Sequence, residues 1–393
     1  MPKTVKIVIA ALLGLFLVGL SFWAGFGISR MLLPTTTEAE LMREVYTLLR
    51  SYYVNPEAIT PELLEKGSVA EMLDALNDQY TYHISAETWA QMQSYFQGSY
   101  VGIGVVVEIQ EGGRLVVIDV IPDSPAEGKI EPGDWIQEID GQSTSGMSLD
   151  EAGSKMRGEE GTAVTLTIWR QSQTMEFTLI REEITLATVD WELIDGTLYD
   201  IAYIEISYFS ELTDDELISL LEDEILVVEE LDGIILDLRE NPGGILWEQD
   251  YSGGAVGVAA QFLEEGTIIL WLDDGRGNEE AILADSGGLA TDLPLAVLVD
   301  GGTASAAEMV AGALQDDERA LLIGTETYGK GSMQYIIPLS DGSAVSITCA
   351  CWYTPSRYPS IHLTPGNGLT PDLEVEGETA QLEAAIDYIT GLE

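Results

Sequence analysis

The chain has 393 residues, 67 of them acidic and 17 Lys or Arg, for a net charge of −50 at pH 7. So few cations cannot form the basic stripe that displaces counterions from phosphates, so nucleic acid is excluded as a partner. Two histidines (His83, His362) and two cysteines (Cys349, Cys351) exclude a His-rich metal centre and a disulfide scaffold, while 46% hydrophobic residues call for two or three packed cores at this length.

Ile7 to Ser29 carries no charged residue. A helix rising about 1.5 Å per residue crosses about 30 Å of hydrocarbon with such a run. Lys3 and Lys6 precede it, which predicts a cytoplasmic N-terminus and an extracytoplasmic remainder. Residues 1–33 therefore read as a transmembrane anchor in a bacterial-type cell membrane. The rival reading is a cleaved signal that leaves the protein secreted or periplasmic. Cys349 and Cys351 are one residue apart, a poor geometry for a disulfide, and sit in a strand-like run.

Residues 34–97 read as a small helical region. Leu41, Val45, Leu48 and Leu49 recur at helical spacing and Tyr52 continues the face. Pro56 and Pro61 interrupt it, Glu62 to Leu76 resumes it, and Trp89, Met92, Tyr95 and Phe96 form another apolar face. At Gly98 the character changes. Residues 98–182 predict short strands (Gly102 to Val107, Leu115 to Ile121, Trp135 to Ile139, Val164 to Arg170, Thr174 to Arg181) and a helix from Ser148 to about Arg157. Residues 183–393 alternate strands with helices, an α/β layered fold. Thr213 is placed as the N-cap of a helix over Asp214 to Leu231, and Gly233 to Leu238 as a buried strand.

Three loops in this last region carry chemistry. After Lys155 the only lysine is Lys330, between Gly329 and Gly331. Gly324 to Lys330 imitates the front of a phosphate-binding loop. However, Gly331 stands where Ser or Thr must hold magnesium, and a strand rather than a helix follows. Val299 to Glu308 runs from a buried strand through a glycine turn to a helix start, which aims Ser305 into a cleft beside helix N-terminal amides. Ser305 and Lys330 together make a Ser–Lys dyad. The lysine acts as a base once desolvation lowers its pKa, and Gln334 can hold the amine without adding charge. Asp237 to Gly244 follows a strand and ends in paired glycines, Gly243 and Gly244, whose N–H groups suit an oxyanion hole. A histidine-dependent triad is the rival, with no carboxylate placed to orient His362.

These motifs in this order resemble the carboxy-terminal processing peptidases, the tail-specific Ser–Lys proteases of family S41. The resemblance rests on Gly98 to Val105, Asp123 to Ala126, Pro132 to Asp134, Arg157-Gly158, Asp237 to Arg239, Asn241 to Gly244, Thr303 to Ala306, Gly329 to Ser332 with Gln334, and Tyr353 to Ser356 before Thr370 to Asp372. It implies that residues 98–182 are a PDZ domain and residues 183–393 a protease core of the ClpP/crotonase-like type. It further implies Ser305 as nucleophile, Lys330 as general base and Gln334 as its orienter, with Ala306 and Gly243 or Gly244 forming the oxyanion hole. Tyr100, Val101, Gly102, Ile103 and Gly104 would take a substrate's terminal carboxylate, and Arg157 would couple the PDZ domain to the active site. The expected partners are proteins with apolar C-terminal tails and, through the Ile7 to Ser29 run, the membrane, with no cofactor or metal; homo-oligomerisation is left open. The alternatives are an inactive PDZ adaptor and a crotonase-type acyl-CoA enzyme. Ile245 to Ala255 is longer than the resemblance leads one to expect.

Overall fold

The computed structural model describes residues 37–110, 112–195, 199–247, 253–285, 288–356 and 363–391. The expected anchor over 1–33, His362 and residues 248–252 of the longer loop lie outside them. No helix among the described residues is long and apolar enough to cross a membrane. Contacts divide the chain into two units. The first takes in residues up to 90 with 273–279 and 332–351; the second holds 91–272, 280–331 and the residues from 352 on.

In the first unit, α1 (Glu38–Tyr52) starts at a capping box in which Thr37 N–H donates to Glu40 Oε2 at 2.9 Å. Its Leu41, Val45 and Leu49 pack on Val69, Met72 and Leu73 of α2 (Val69–Asp74) and on Leu339, Val345 and Ile347. The helical region is thus completed by a distant hairpin, Ser332–Pro338 with Ala344–Tyr353, which the strand Tyr82–Ile84 extends. Tyr52 does not continue the buried face; it is exposed and meets the Tyr335 ring edge-on. The expected helix from Glu62 is a 3-10 turn, Pro61–Glu65, followed by α2. The helix Ala86–Phe96 buries none of its residues, so its apolar face is no core.

The second unit opens with the strands of the short-stranded region: β1 (Ser99–Gly102), β2 (Val105–Gln110), β3 (Arg114–Val120), β4 (Trp135–Ile139), then α3 (Leu149–Met156), β5 (Ala163–Arg170), β6 (Gln173–Ile180) and β7 (Glu182–Thr185). The order β2-β3-β4-β5-β6 is antiparallel throughout, and β1 pairs with β7. Val164, Leu166 and Ile168 alternate into a core closed by Ala152 and Met156 of α3, as a half-buried strand requires. β2 stands at the sheet edge.

The larger sheet follows: β8 (Val189–Asp195), β9 (Asp200–Ile206), α4 (Thr213–Leu220), β10 (Gly233–Asp237), α5 (Gly254–Ala260), β11 (Leu295–Val299), α6 (Ala306–Asp316), β12 (Leu321–Gly324), β13 (Leu373–Glu374) and α7 (Glu378–Thr390). Its order is β8-β9-β10-β11-β12-β13, parallel except for β8, an edge strand that the sequence reading did not anticipate. Every residue of β10 and β11 is buried, and apart from Asp237 at the end of β10 they form the apolar runs of strands covered on both faces. Helix α6 is buried from Ala306 to Leu314, and Ala385 of α7 joins the core with Ile235, Ala296 and Ile323. Thr213 is not an N-cap. It lies inside α4, and its hydroxyl accepts from the Ser210 N–H at 2.8 Å.

Candidate active site

β10, β11 and β12 are adjacent and parallel, so their carboxyl ends open on one edge of the sheet. The three loops singled out in the sequence leave from these three ends. Leu238 to Gly244 follows β10, Gly301 to Ser305 follows β11, and Thr325 to Lys330 follows β12. Open parallel sheets form their sites at such an edge.

The serine turn is fixed from below. Asp300 Oδ1 accepts from the N–H of Glu240 (2.9 Å), Gly302 (2.9 Å) and Thr303 (3.1 Å). The buried Thr303 hydroxyl donates to Leu238 O at 2.7 Å, and Ala304 N–H donates to Asn241 O at 2.9 Å. Ser305 then takes φ 57° and ψ −116° immediately before α6. A non-glycine residue held there is strained by about 1–3 kcal/mol and persists only where its surroundings over-determine it. The sequence lacks G-x-S-x-G, yet the chain builds the same strand–turn–helix elbow that such a motif specifies.

The paired glycines lie against this elbow. A Cβ on Gly243 would stand 2.8 Å from Ser305 Cβ and 2.9 Å from Ala306 N, so only glycine permits this approach. Gly244 is pinned by Phe209, whose N–H donates to Gly243 O at 3.0 Å and whose O accepts from Ile245 N–H at 2.9 Å. In such a bridge the Gly244 N–H points away from Phe209. The Gly243 N–H is donated to Asn241 Oδ1 at 2.9 Å. Of the two candidate donors, Gly244 is therefore the one not held by Asn241.

Lys330 is largely buried, and its pKa lies below the ordinary lysine value. Desolvation lowers it, and the nearby Glu308 carboxylate acts in the opposite direction. Glu308 is the functional residue that the sequence reading missed. It is completely buried and accepts four hydrogen bonds. Oε2 takes the N–H of Ser305 (2.9 Å) and of Lys330 (2.7 Å); Oε1 takes Gly329 N–H (2.7 Å) and the Thr327 hydroxyl (2.5 Å). The available signal was the S-x-x-E spacing of Ser305 and Glu308, which is that of a capping box.

Asp237 pairs with Arg239 and accepts from the Tyr203 hydroxyl at 2.5 Å, while Arg239 also donates to Gln381 Oε1 on α7 at 3.0 Å. This network holds the loop rather than facing Ser305 with a base. Gln334 lies in the first unit, where its Nε2 donates to Ser332 Oγ at 3.0 Å. The chain after Gly331 is strand, as expected, so the phosphate-loop look-alike lacks its helix. His83 Nε2 is 2.9 Å from Ser343 Oγ, but Ser343 donates its proton to Asp341, at 2.5 Å. His83 is therefore the donor, and no Ser-His-Asp relay is built there. Burial pushes the Cys349 thiol up to about 12 and also raises Cys351, so neither is a thiolate nucleophile.

In the smaller sheet, Tyr100, Val101 and Gly102 lie on β1, Ile103 is buried in the core, and Gly104 has φ 76°. Arg157 follows α3 directly.

The family model of a PDZ domain matches residues 90–169, and that of peptidase family S41 matches residues 200–375. A carboxy-terminal-processing protease of Bartonella bacilliformis is 35% identical over 356 residues, covering 88% of this chain and 77% of that protein. The chain belongs to peptidase family S41. Another relative, a carboxyl-terminal-processing protease of Synechocystis sp., is 37% identical over 340 residues, 82% of this chain and 76% of that protein. The solved photosystem II D1 C-terminal processing protease superposes with a TM-score of 0.54 at 27% identity, covering 89% of this chain and 97% of that one. This S41 member is thus a serine peptidase with a PDZ domain on a mixed α/β core.

Proposed function

We propose that Ser305 and Lys330 are the catalytic dyad of an endopeptidase that captures protein C-terminal tails on its PDZ domain and cleaves nearby. The observation that carries the reading is the single Glu308 Oε2 atom bound to both the Ser305 and Lys330 amides. It fixes the two loops against each other at the carboxyl edge of the sheet.

The neutral Lys330 amine takes the Ser305 hydroxyl proton as Oγ attacks the scissile carbonyl carbon. The tetrahedral oxyanion accepts from Ala306 N–H and Gly244 N–H, and its collapse expels the amine, which receives the proton from Lys330. Water then attacks the acyl-serine ester. Lys330 takes one water proton and returns it to Ser305 Oγ as the carboxylic acid leaves, and the acid gives its remaining proton to solvent. The lowered proton affinity of Lys330 favours this cycle, because it increases the share of neutral amine able to accept the Ser305 proton. Gln334 as orienter of Lys330 and Arg157 as a PDZ coupling residue rest on their sequence positions. The apolar run from Ile7 to Ser29 supports an N-terminal anchor with the peptidase outside the cytoplasm.

The test compares degradation of one apolar-tailed protein with and without its last few residues, by wild type and by Ser305→Ala. Tail-dependent cleavage that Ser305→Ala abolishes supports the reading; tail-independent cleavage, or activity surviving Ser305→Ala, contradicts it.

A further inference from the structure

The loop that carries Lys330 lies against a turn from much later in the chain, residues 364–369, in which Asn367 N–H donates to Thr364 O at 2.7 Å. Thr327 N–H donates to Leu369 O at 3.1 Å, and Leu369 N–H returns a bond to the Thr327 hydroxyl at 2.7 Å. Gly366 N–H donates to Tyr328 O at 3.1 Å, and Gly368 N–H donates to the carboxylate of the exposed Glu326 at 3.1 Å. Each segment yields a glycine to the other. A Cβ on Gly329 would stand 2.0 Å from Thr364 O, and a Cβ on Gly368 would stand 2.2 Å from Thr327 O, so only glycine permits either approach. The Thr327 hydroxyl that accepts from Leu369 also donates to Glu308 Oε1 at 2.5 Å. One buried side chain thus joins the turn to the carboxylate that holds the Lys330 N–H.

We propose that residues 364–369 form the outer half of the general-base site, with Gly368 the positioning residue that seats Thr327 and, through it, Glu308 and Lys330. This rests on the reading of Lys330 as the base. The serine half is held by other groups: Asp300 fixes the serine turn, and Asn241 and Phe209 hold the paired glycines. Displacing the turn therefore acts on the base and leaves the nucleophile and the oxyanion donors in place. It also lets water reach Lys330. Desolvation lowers the Lys330 pKa, and Glu308 is the charged group that acts against it, so a hydrated Lys330 holds its proton to higher pH.

The experiment measures kcat and KM of the full chain as a function of pH, with a quenched-fluorescent peptide that ends in alanine and leucine and a free carboxyl terminus. Gly368→Ala drives a methyl into Thr327 O. It is expected to lower kcat about 100-fold, the scale of a 1 Å misplacement, and to leave KM within about 2-fold of wild type. Glu326→Ala removes only an exposed anchor of the Gly368 N–H, so it carries the test if Gly368→Ala does not fold. It is expected to lower kcat about 2- to 10-fold, the worth of one hydrogen bond. In both variants the acidic limb of kcat/KM should move to higher pH, a shift that a loss of stability alone does not produce. Wild-type kcat in both variants, or a fall in kcat with the acidic limb unmoved, overturns this inference while Lys330→Ala remains inactive. Wild-type turnover by Lys330→Ala overturns the base reading itself, and this inference with it.

Discussion

Ser305 and Lys330, 25 residues apart in sequence, donate their backbone N–H groups to the same oxygen, Glu308 Oε2, at 2.9 and 2.7 Å. One buried carboxylate therefore sets the spacing of the proposed nucleophile and base, and its charge also acts on the lysine. These two effects are separable by substitution.

Glu308→Gln keeps the shape but presents an amide N–H₂ to at least one of four N–H or O–H donors. The loops lose registry, and kcat/KM should fall about 100-fold, the scale of a 1 Å misplacement. The pH profile adds a second readout. Glu308 raises the Lys330 pKa against desolvation, so its neutralisation lets desolvation act alone. The acidic limb of kcat/KM should move to lower pH. A purely structural loss would leave that limb where it is.

Lys330→Met should remove all turnover and make the protein more stable, because a charged form is costly to bury and methionine is not. The sign follows from the lowered folded pKa. In the wild type, stability is lost as pH falls from the unfolded lysine pKa, about 10.4, to the folded value, and no further below it. The Tm advantage of Lys330→Met should accordingly be larger at pH 7 than at pH 10.5, which thermal melts at the two pH values check.

Gly243→Ala would place a methyl 2.8 Å from Ser305 Cβ, at a residue with φ 95°. Cleavage should fall by about 100-fold or more, as when an oxyanion donor is lost. Gly301→Ala is the control. It lies in the neighbouring turn, a Cβ there meets nothing within 4 Å, and its activity should stay near wild type.

Sixty-seven acidic residues against seventeen Lys and Arg leave the folded surface under self-repulsion. Raising NaCl from 0.1 to 1 M shortens the screening length from about 10 to about 3 Å. The Tm should rise over this range, and a flat or falling Tm would show that the charge is already compensated.

Much of this was legible in the sequence. The buried strands β10 and β11 announced themselves as apolar runs, broken in β10 only by Asp237, and the three loops after β10, β11 and β12 were found by their glycines, Ser305 and Lys330. The α4 region was overextended because its apolar spacing continues past the point where the helix ends. After Leu220 it passes into a π turn, Leu221–Ile225. Glu222, Asp223 and Glu224 at that end oppose the helix dipole, and Val227 and Val228 disfavour continuation. Glu308 was hidden for another reason. Beyond the S-x-x-E spacing with Ser305, its partners are backbone amides and a hydroxyl 19 to 22 residues away, and no side-chain pattern encodes those.

The most direct test of the Ser305–Lys330 dyad is labelling with a fluorophosphonate, followed by peptide mapping of wild type and Lys330→Ala. The account predicts one modified residue, Ser305, in the wild type and labelling slowed at least 100-fold in Lys330→Ala, the scale of general-base assistance. A label on another residue, or equal labelling rates in the two proteins, would contradict it.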